Sequence, residues 1–230
     1  LGFAVSGAGD INGDGLADLL VSSLWFDEGH LTNSGAVDIF SGADGSLLRH
    51  FPGGSPEDYF GYSVSAAGDV DADGVPDVII GAANANISGK SDAGRAYVYS
   101  GASGRKLHRM DGENSFDLYG FSVSGVGDID FDGYDDFLVG ALLADPSGLA
   151  DAGSAYLYSG QSGALIHRFD GAEPGDYFGG SVGGGHDIDG DGVIDIVVGA
   201  SGADPNGIPV AGSAFALSGA SFTEIYRFDG

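Results

Sequence analysis

Asp69-Val-Asp-Ala-Asp-Gly-Val-Pro-Asp77 places a carboxylate at positions 1, 3, 5 and 9 of a short loop, with glycine at position 6. The same pattern returns as Asp10-Ile-Asn-Gly-Asp-Gly-Leu-Ala-Asp18, Asp128-Ile-Asp-Phe-Asp-Gly-Tyr-Asp-Asp136 and Asp187-Ile-Asp-Gly-Asp-Gly-Val-Ile-Asp195. The first Asp of each loop lies 59 residues after the last. A period this regular marks a repeat architecture, here of four like units. We expect one domain over 1–230, with repeats of about 1–53, 54–112, 113–171 and 172–230.

Working outward from Asp69–Asp77, the second repeat reads as four short strands. Tyr59 to Ser65 is rich in aromatic and β-branched residues and predicts the first. Asp77-Val-Ile-Ile-Gly-Ala82 is a short apolar run and predicts a buried second. Gly94 to Ser100 and Lys106 to Met110 predict the third and fourth, joined by the Gly101-Ala-Ser-Gly104 turn. Short strands bounded by evenly spaced turn residues point to an all-β fold, and no segment has a helical apolar period. Four strands per unit, repeated, predict a β-propeller of four-stranded antiparallel blades. A blade alone leaves both sheet faces wet, so blades must pack on one another. Because successive strands reverse, the Asp loops share one face with the Gly-Ala-Ser-Gly type turns. The 11-residue loops such as Ala83–Ala93 and the blade-to-blade linkers share the other.

The loop chemistry points to a hard cation. Ca²⁺ takes six to eight oxygen ligands in flexible geometry. The candidate side-chain ligands are Asp10, Asn12, Asp14 and Asp18; Asp69, Asp71, Asp73 and Asp77; Asp128, Asp130, Asp132 and Asp136; and Asp187, Asp189, Asp191 and Asp195. Position 7 offers a backbone carbonyl from Leu16, Val75, Tyr134 or Val193, and position 9 is placed for bidentate binding. Asn12 keeps an oxygen but lowers the charge, so the first site is expected to be weakest. Position 12 falls in a strand as Val21, Ile80, Val139 or Val198, not as the Glu of an EF-hand. The chain has no Cys and no cluster of His, which disfavours zinc or copper. About four Ca²⁺ are expected, one per repeat, in a structural role.

The formal charge is −26, with eight Lys and Arg together. Nucleic acid recognition needs a basic footprint, so it is excluded, as is an anionic membrane surface. No apolar run is long enough to span a bilayer.

Several elements resemble the FG-GAP repeat of the β-propeller head of integrin α chains. Its Phe-Gly pair stands as Phe60-Gly61 and Phe178-Gly179, with Tyr119-Gly120 and Leu1-Gly2 as variants. Its Gly-Ala pair stands as Gly81-Ala82, Gly140-Ala141 and Gly199-Ala200, with Ser22-Ser23 in the first repeat. The Asp loop lies between the two. The resemblance implies Ca²⁺ on the lower face and protein recognition or adhesion on the upper face, at a cell surface or outside the cell. Two departures stand out: the integrin head has seven blades rather than four, and it carries cation loops in only some of them. Similar repeats occur in fungal lectins and as accessory domains of secreted enzymes.

On the upper face, Trp25, Phe26 and His30 form the only long loop with large aromatics, a candidate platform for a protein or glycan ligand. Asp58, Asp117 and Asp176 precede the Phe-Gly strand and are expected to cap linker turns. His50, His108 and His167 are expected on solvated strand faces. No phosphate-cradling loop and no Ser/His/Asp set is found, so no enzyme activity is expected. The repeat count allows a closed small ring, self-assembly of two chains into one larger ring, or a stretch of a longer array. The leading reading is a calcium-binding adhesion or interaction propeller; the alternatives are a carbohydrate-binding propeller or an accessory domain of a secreted enzyme.

Overall fold

A computed structural model describes all residues from Leu1 to Gly230. Its sixteen strands form four separate four-stranded sheets, each antiparallel and in chain order. The first blade holds β1 (Val5–Gly9), β2 (Asp18–Ser23), β3 (Ala36–Phe40) and β4 (Leu47–Pro52). The second holds β5 (Ser63–Gly68), β6 (Asp77–Ala82), β7 (Arg95–Tyr99) and β8 (Lys106–Asp111). The third holds β9 (Tyr119–Gly127), β10 (Asp136–Ala141), β11 (Ser154–Tyr158) and β12 (Leu165–Asp170). The fourth holds β13 (Phe178–His186), β14 (Asp195–Ala200), β15 (Ser213–Leu217) and β16 (Glu224–Asp229). The all-β propeller architecture expected from the repeat is therefore present, blade for repeat.

The first strand of the second blade starts four residues later than its sequence suggests. Tyr59 and Gly61 have φ of 51° and 91°, which breaks the extended run. Phe60 is thereby turned into the core between blades, 2% exposed and edge-on to Tyr97 at 5.5 Å. Its backbone bridges Gly35 of the preceding blade in parallel sense. Two short 3₁₀ turns, Pro146–Gly148 and Pro205–Gly207, sit in the long loops of blades three and four.

No blade owns a core. Three buried clusters each straddle two consecutive blades: Leu20, Val37 and Ile39 meet Val78 and Ile80; Ile79 and Val98 meet Phe137 and Val139; Leu138 and Leu157 meet Ile196 and Val198. Central strands are buried on both sides for this reason, which explains their continuous apolar runs. Parallel bridges Gly35–Phe60, Gly94–Tyr119 and Gly153–Phe178 mark the same three boundaries. No cluster or bridge joins the fourth blade to the first, so the four sheets form an open array.

Two histidines differ from expectation. His108 and His167 are not simply solvated: His108 Nε2 lies 2.6 Å from the Gly160 carbonyl in the next blade, and the His167 ring stacks on Phe222 at 4.5 Å. The aromatic ring or polar nitrogen of this strand position reaches the neighbouring turn. His50 sits one register position further on and pairs with Asp38 at 2.6 Å.

Candidate metal centres

Each Asp loop connects the first and second strands of its blade and is wound around its own carboxylates. The position 1 carboxylate gathers the following amides: Asp73 N donates to Asp69 Oδ1 at 3.0 Å and Gly74 N to Asp69 Oδ2 at 2.9 Å. Gly74 needs φ of 88° to bring its amide round, which favours glycine there. The position 5 carboxylate accepts from position 7, as Val75 N to Asp73 Oδ1 at 2.9 Å. The same bonds recur at Asp10 and Asp14 and at Asp128 and Asp132; in the fourth loop Gly192 N and Val193 N keep theirs to Asp187 and Asp191, while the Asp191 amide donates to Asp189 Oδ1 at 3.1 Å.

Position 9 is wholly buried in all four loops, as Asp18, Asp77, Asp136 and Asp195. Its two oxygens accept from two different segments. Asp77 Oδ2 takes the amide of Val70 at 2.7 Å, and Oδ1 takes that of Gly101 at 2.9 Å. Gly42, Gly160 and Gly219 occupy the same place for Asp18, Asp136 and Asp195. The carboxylate thus ties the Asp loop to the turn between third and fourth strands, and puts both on one face. The sequence carried a signal for this second task, a glycine 24 residues after every position 9 Asp. A Cβ on Gly101 would stand 1.9 Å from the Pro76 carbonyl oxygen.

The structure brings positions 1, 3 and 9 together. In Asp69, Asp71 and Asp77, in Asp128, Asp130 and Asp136, and in Asp187, Asp189 and Asp195, one carboxylate oxygen from each lies within 4.8 Å of the others. Asp73, Asp132 and Asp191 lie outside these three-carboxylate sets. In the first loop Asn12 holds position 3, and its amide Nδ2 donates to Asp14 Oδ2 at 2.9 Å. Burial pushes the Asp77 carboxyl up to about 7 and that of Asp136 up to about 6. Asp71 and Asp130 are raised by burial and then by the neighbouring carboxylates. Asp71 Oδ1 is buried with no hydrogen-bond partner. Crowded like charges and an orphaned buried oxygen are costly alone and are both relieved by a divalent cation. The residues present therefore fit a hard, oxygen-seeking ion.

A further contact was not anticipated, at position 8. Pro76, Asp135 and Ile194 each lie over the glycine preceding the loop of the blade before: Gly9, Gly68 and Gly127. Asp69 N donates to Asp135 Oδ2 at 2.8 Å, and Asp135 N to the Asp69 carbonyl at 3.1 Å. Neighbouring loops are thereby locked to one another.

The long loops and linkers pair on the opposite face, as Glu57 N to the Thr32 carbonyl and Phe116 N to the Ser91 carbonyl. Asp117 caps its linker by accepting from Asn114 N at 2.9 Å, and Asp176 by accepting from Glu173 N at 2.9 Å. Trp25 and Phe26 line a groove of about 510 Å³ with Leu1, Phe3 and Leu24; His30 is exposed and lies outside it. Trp25 meets Phe3 edge-on at 5.7 Å, Phe3 meets Tyr62 at 5.5 Å, and Tyr62 meets Phe121 at 4.9 Å. This ladder runs across three blades and was overlooked in the sequence, although Phe3, Tyr62 and Phe121 keep the 59-residue period. Gly180 ends it in the fourth.

Comparison with known proteins agrees with this geometry. The model of the FG-GAP repeat matches residues 1–40, 60–99 and 119–158. Integrin alpha-5 of Xenopus laevis is 32% identical over 94% of the chain, and integrin alpha-V of Gallus gallus 31% over 89%. The chain spans 22% and 20% of those proteins. Among solved structures, the exotype rhamnogalacturonan lyase YesX superposes with a TM-score of 0.56 at 20% identity, over 96% of this chain and 41% of the lyase. Saccharomyces cerevisiae Sqt1 does so with 0.57 at 12% identity, over 97% and 48%. At these identities the two structures speak for the fold. With three repeats matched directly and the fourth folded into the same four-stranded sheet, the chain belongs to the FG-GAP repeat family.

Proposed function

We propose that residues 1–230 are one calcium-binding propeller domain that acts as an adhesion or protein-interaction module outside the cell or on its surface. Ca²⁺ is held in each blade by positions 1, 3, 5 and 9 with the position 7 carbonyl, and its role is structural. The observation that carries the metal reading is the buried, unpartnered Asp71 Oδ1 within a set of three carboxylates. Each site at a free Ca²⁺ concentration a hundredfold above its Kd adds about 2.7 kcal/mol to stability. The interaction reading draws support from the similarity to integrin α chains along most of the chain. The partner surface is the face of long loops and linkers, away from the Asp loops. We read the chain as non-enzymatic: the Asp117 and Asp176 carboxylates on that face are committed to linker amides.

Two measurements test this. Thermal unfolding with Ca²⁺ and with chelator must differ by many degrees; identical curves reject the metal. Beads coated with the protein are then scored for adhesion to extracellular matrix proteins, with Ca²⁺ present, against beads carrying a variant of the long loops. No adhesion beyond bare beads rejects the interaction role.

A second reading is favoured by one observation, the exposed Trp25 at the end of the Phe3–Tyr62–Phe121 ladder. An exposed indole beside further aromatics suits stacking on a sugar ring. A glycan array separates the two: hits lost in Trp25→Ala support a lectin role, and an array without hits removes it.

A further inference from the structure

Interior blade boundaries share a plan, and the chain's own side chains fill two of them. In the second blade, Tyr97 and Tyr99 of β7 turn toward the first blade, with Tyr99 4.8 Å from Phe51 and Tyr97 5.5 Å from Phe60. Lys106 of β8 lays its ammonium over the Tyr97 ring, 4.8 Å from the centroid, and the Arg95 guanidinium shares that ring at 5.7 Å. In the third blade Tyr156 and Tyr158 hold the same two positions, with Phe137 stacked on Tyr158 at 5.7 Å.

The boundary between blades three and four departs from this plan at two aligned positions. Leu217 stands where Tyr99 and Tyr158 stand, and Glu224 stands where Lys106 does. Phe215 keeps the place of Tyr97, with the Arg227 guanidinium 5.3 Å above it and paired with Asp229 at 2.6 Å. Where the tyrosine ring is missing, a cavity of about 350 Å³ is walled by His167, Phe169, Phe178, Phe215 and Leu217, with the exposed Glu224 at its mouth. Phe169, Phe178 and Leu217 are themselves buried, so the floor is apolar. Phe222 backs the His167 wall, stacked on that ring at 4.5 Å from a φ of 58°, where Gly45, Gly104 and Gly163 stand in the other turns. An adjoining cavity of about 310 Å³ shares Phe215 and Glu224 and adds Glu173 and Asp204, which makes the approach acidic. Both cavities lie between sheets that face each other within the array.

We propose that this cavity binds a small aromatic amine of the arylethylamine class. The two groups that blade two supplies and blade four lacks are a tyrosine ring and an ammonium, and that class carries both on one short stem. The ligand ring packs against Phe169, Phe178 and Leu217, in the place of the Tyr99 ring. Its ammonium lies over Phe215 and pairs with Glu224, in the place of Lys106. The ring face attracts the cation and the carboxylate neutralises it, while the neighbouring aromatics hold the apolar end. The formal charge of −26 favours a cation over a neutral or anionic ligand of the same shape.

The test is titration calorimetry of the 230-residue chain with phenethylamine, in saturating Ca²⁺ so that the Asp loops do not compete for the amine. One saturable site with a Kd of about 1 mM or below is expected. Leu217→Tyr and Glu224→Lys install the residues that blade two carries, so both should keep the wild-type circular dichroism spectrum. Each should weaken binding by about tenfold or more. Glu28→Lys, the same change of charge on blade one, should bind as wild type does. Butylamine, which lacks the ring, and phenylethyl alcohol, which lacks the ammonium, should each bind about tenfold more weakly or worse. A wild-type chain that shows no saturable binding overturns the proposal. So does a Leu217→Tyr chain that binds as tightly as wild type, a loss in Glu28→Lys equal to that in Glu224→Lys, or butylamine or phenylethyl alcohol binding as well as phenethylamine.

Discussion

Asp77 Oδ1 accepts the amide of Gly101 at 2.9 Å, 24 residues along the chain, while Oδ2 accepts that of Val70 at 2.7 Å. One buried carboxylate therefore braces two loops, whatever else it holds. Asp71, by contrast, has a buried oxygen that bonds to nothing in the protein. The two residues are expected to part company on mutation. Asp77→Ala removes the acceptor of three amides, those of Val70, Asp71 and Gly101, and should cost about 2–4 kcal/mol even in chelator. Asp71→Ala should leave stability in chelator unchanged or slightly raised, yet remove the Ca²⁺-dependent gain at this loop. Urea unfolding of both variants, with and without Ca²⁺, checks this; equal losses in chelator would reject the division of labour.

The first loop differs at one atom that matters. Asn12 donates its amide to Asp14 Oδ2, spending a ligand oxygen on a local bond. Asn12→Asp restores a third carboxylate beside Asp10 and Asp18. Ca²⁺ affinity at that loop should rise by about tenfold, since added ligand charge strengthens such sites. Calorimetric titration resolves it as the loss of the weakest of four binding steps.

Burial raises the Asp77 carboxyl from its ordinary value near 3.8 to about 7, and that of Asp136 to about 6. The charged forms are disfavoured in the fold, so their contribution to stability is complete below about pH 4 and is lost as pH rises through 6 to 7. Chelated protein should therefore be more stable at pH 4.5 than at pH 7.5. The groups facing Asp77 are Asp69, Asp71 and the amides of Val70, Asp71 and Gly101, none of which carries positive charge. A divalent cation favours the ionised form, so saturating Ca²⁺ should abolish or reverse the slope. Melting temperatures across this range, with and without Ca²⁺, decide the matter; a chelated protein that gains stability toward pH 7.5 would contradict it.

Glycine is not interchangeable along the chain. A Cβ on Gly160 would lie 2.0 Å from the Asp135 carbonyl oxygen, in a turn held by Asp136. Gly160→Ala should cost about 2–4 kcal/mol, because backbone must move. Gly183 lies in β13 with nothing within 4 Å and no positive φ. Gly183→Ala should be neutral or stabilise by up to about 1 kcal/mol. Chemical denaturation of the pair measures the contrast.

Much of the fold was legible because its determinants are local and repeated. The Asp77–Ala82 strand was bounded correctly by its own apolar run. The assignment of loops to opposite faces followed from strand reversal alone. What escaped notice depends on contacts between repeats. Phe60 looked like a strand residue, yet the positive φ of its neighbours turns it into the core between blades. Position 8 carries no ligand role in the loop pattern, yet Pro76 and Asp135 there each cover a glycine of the preceding blade. Position 9 looked like a ligand alone, and only the approach of Gly101 reveals the brace. Leu19 and Val78 are equivalent in sequence position, and only the array decides that one is exposed and the other buried.

The three buried clusters, each shared between two blades, set how the molecule responds to being pulled. A load applied along the array meets no independent core to hold a blade once its neighbour has gone. The end blade shears away first, and its loss strips one side from the next. Each such event frees 59 residues and lengthens the tether by on the order of 200 Å. A chain of this design yields under tension in a few large, ordered steps, and shortens again as each blade finds its neighbour's waiting face.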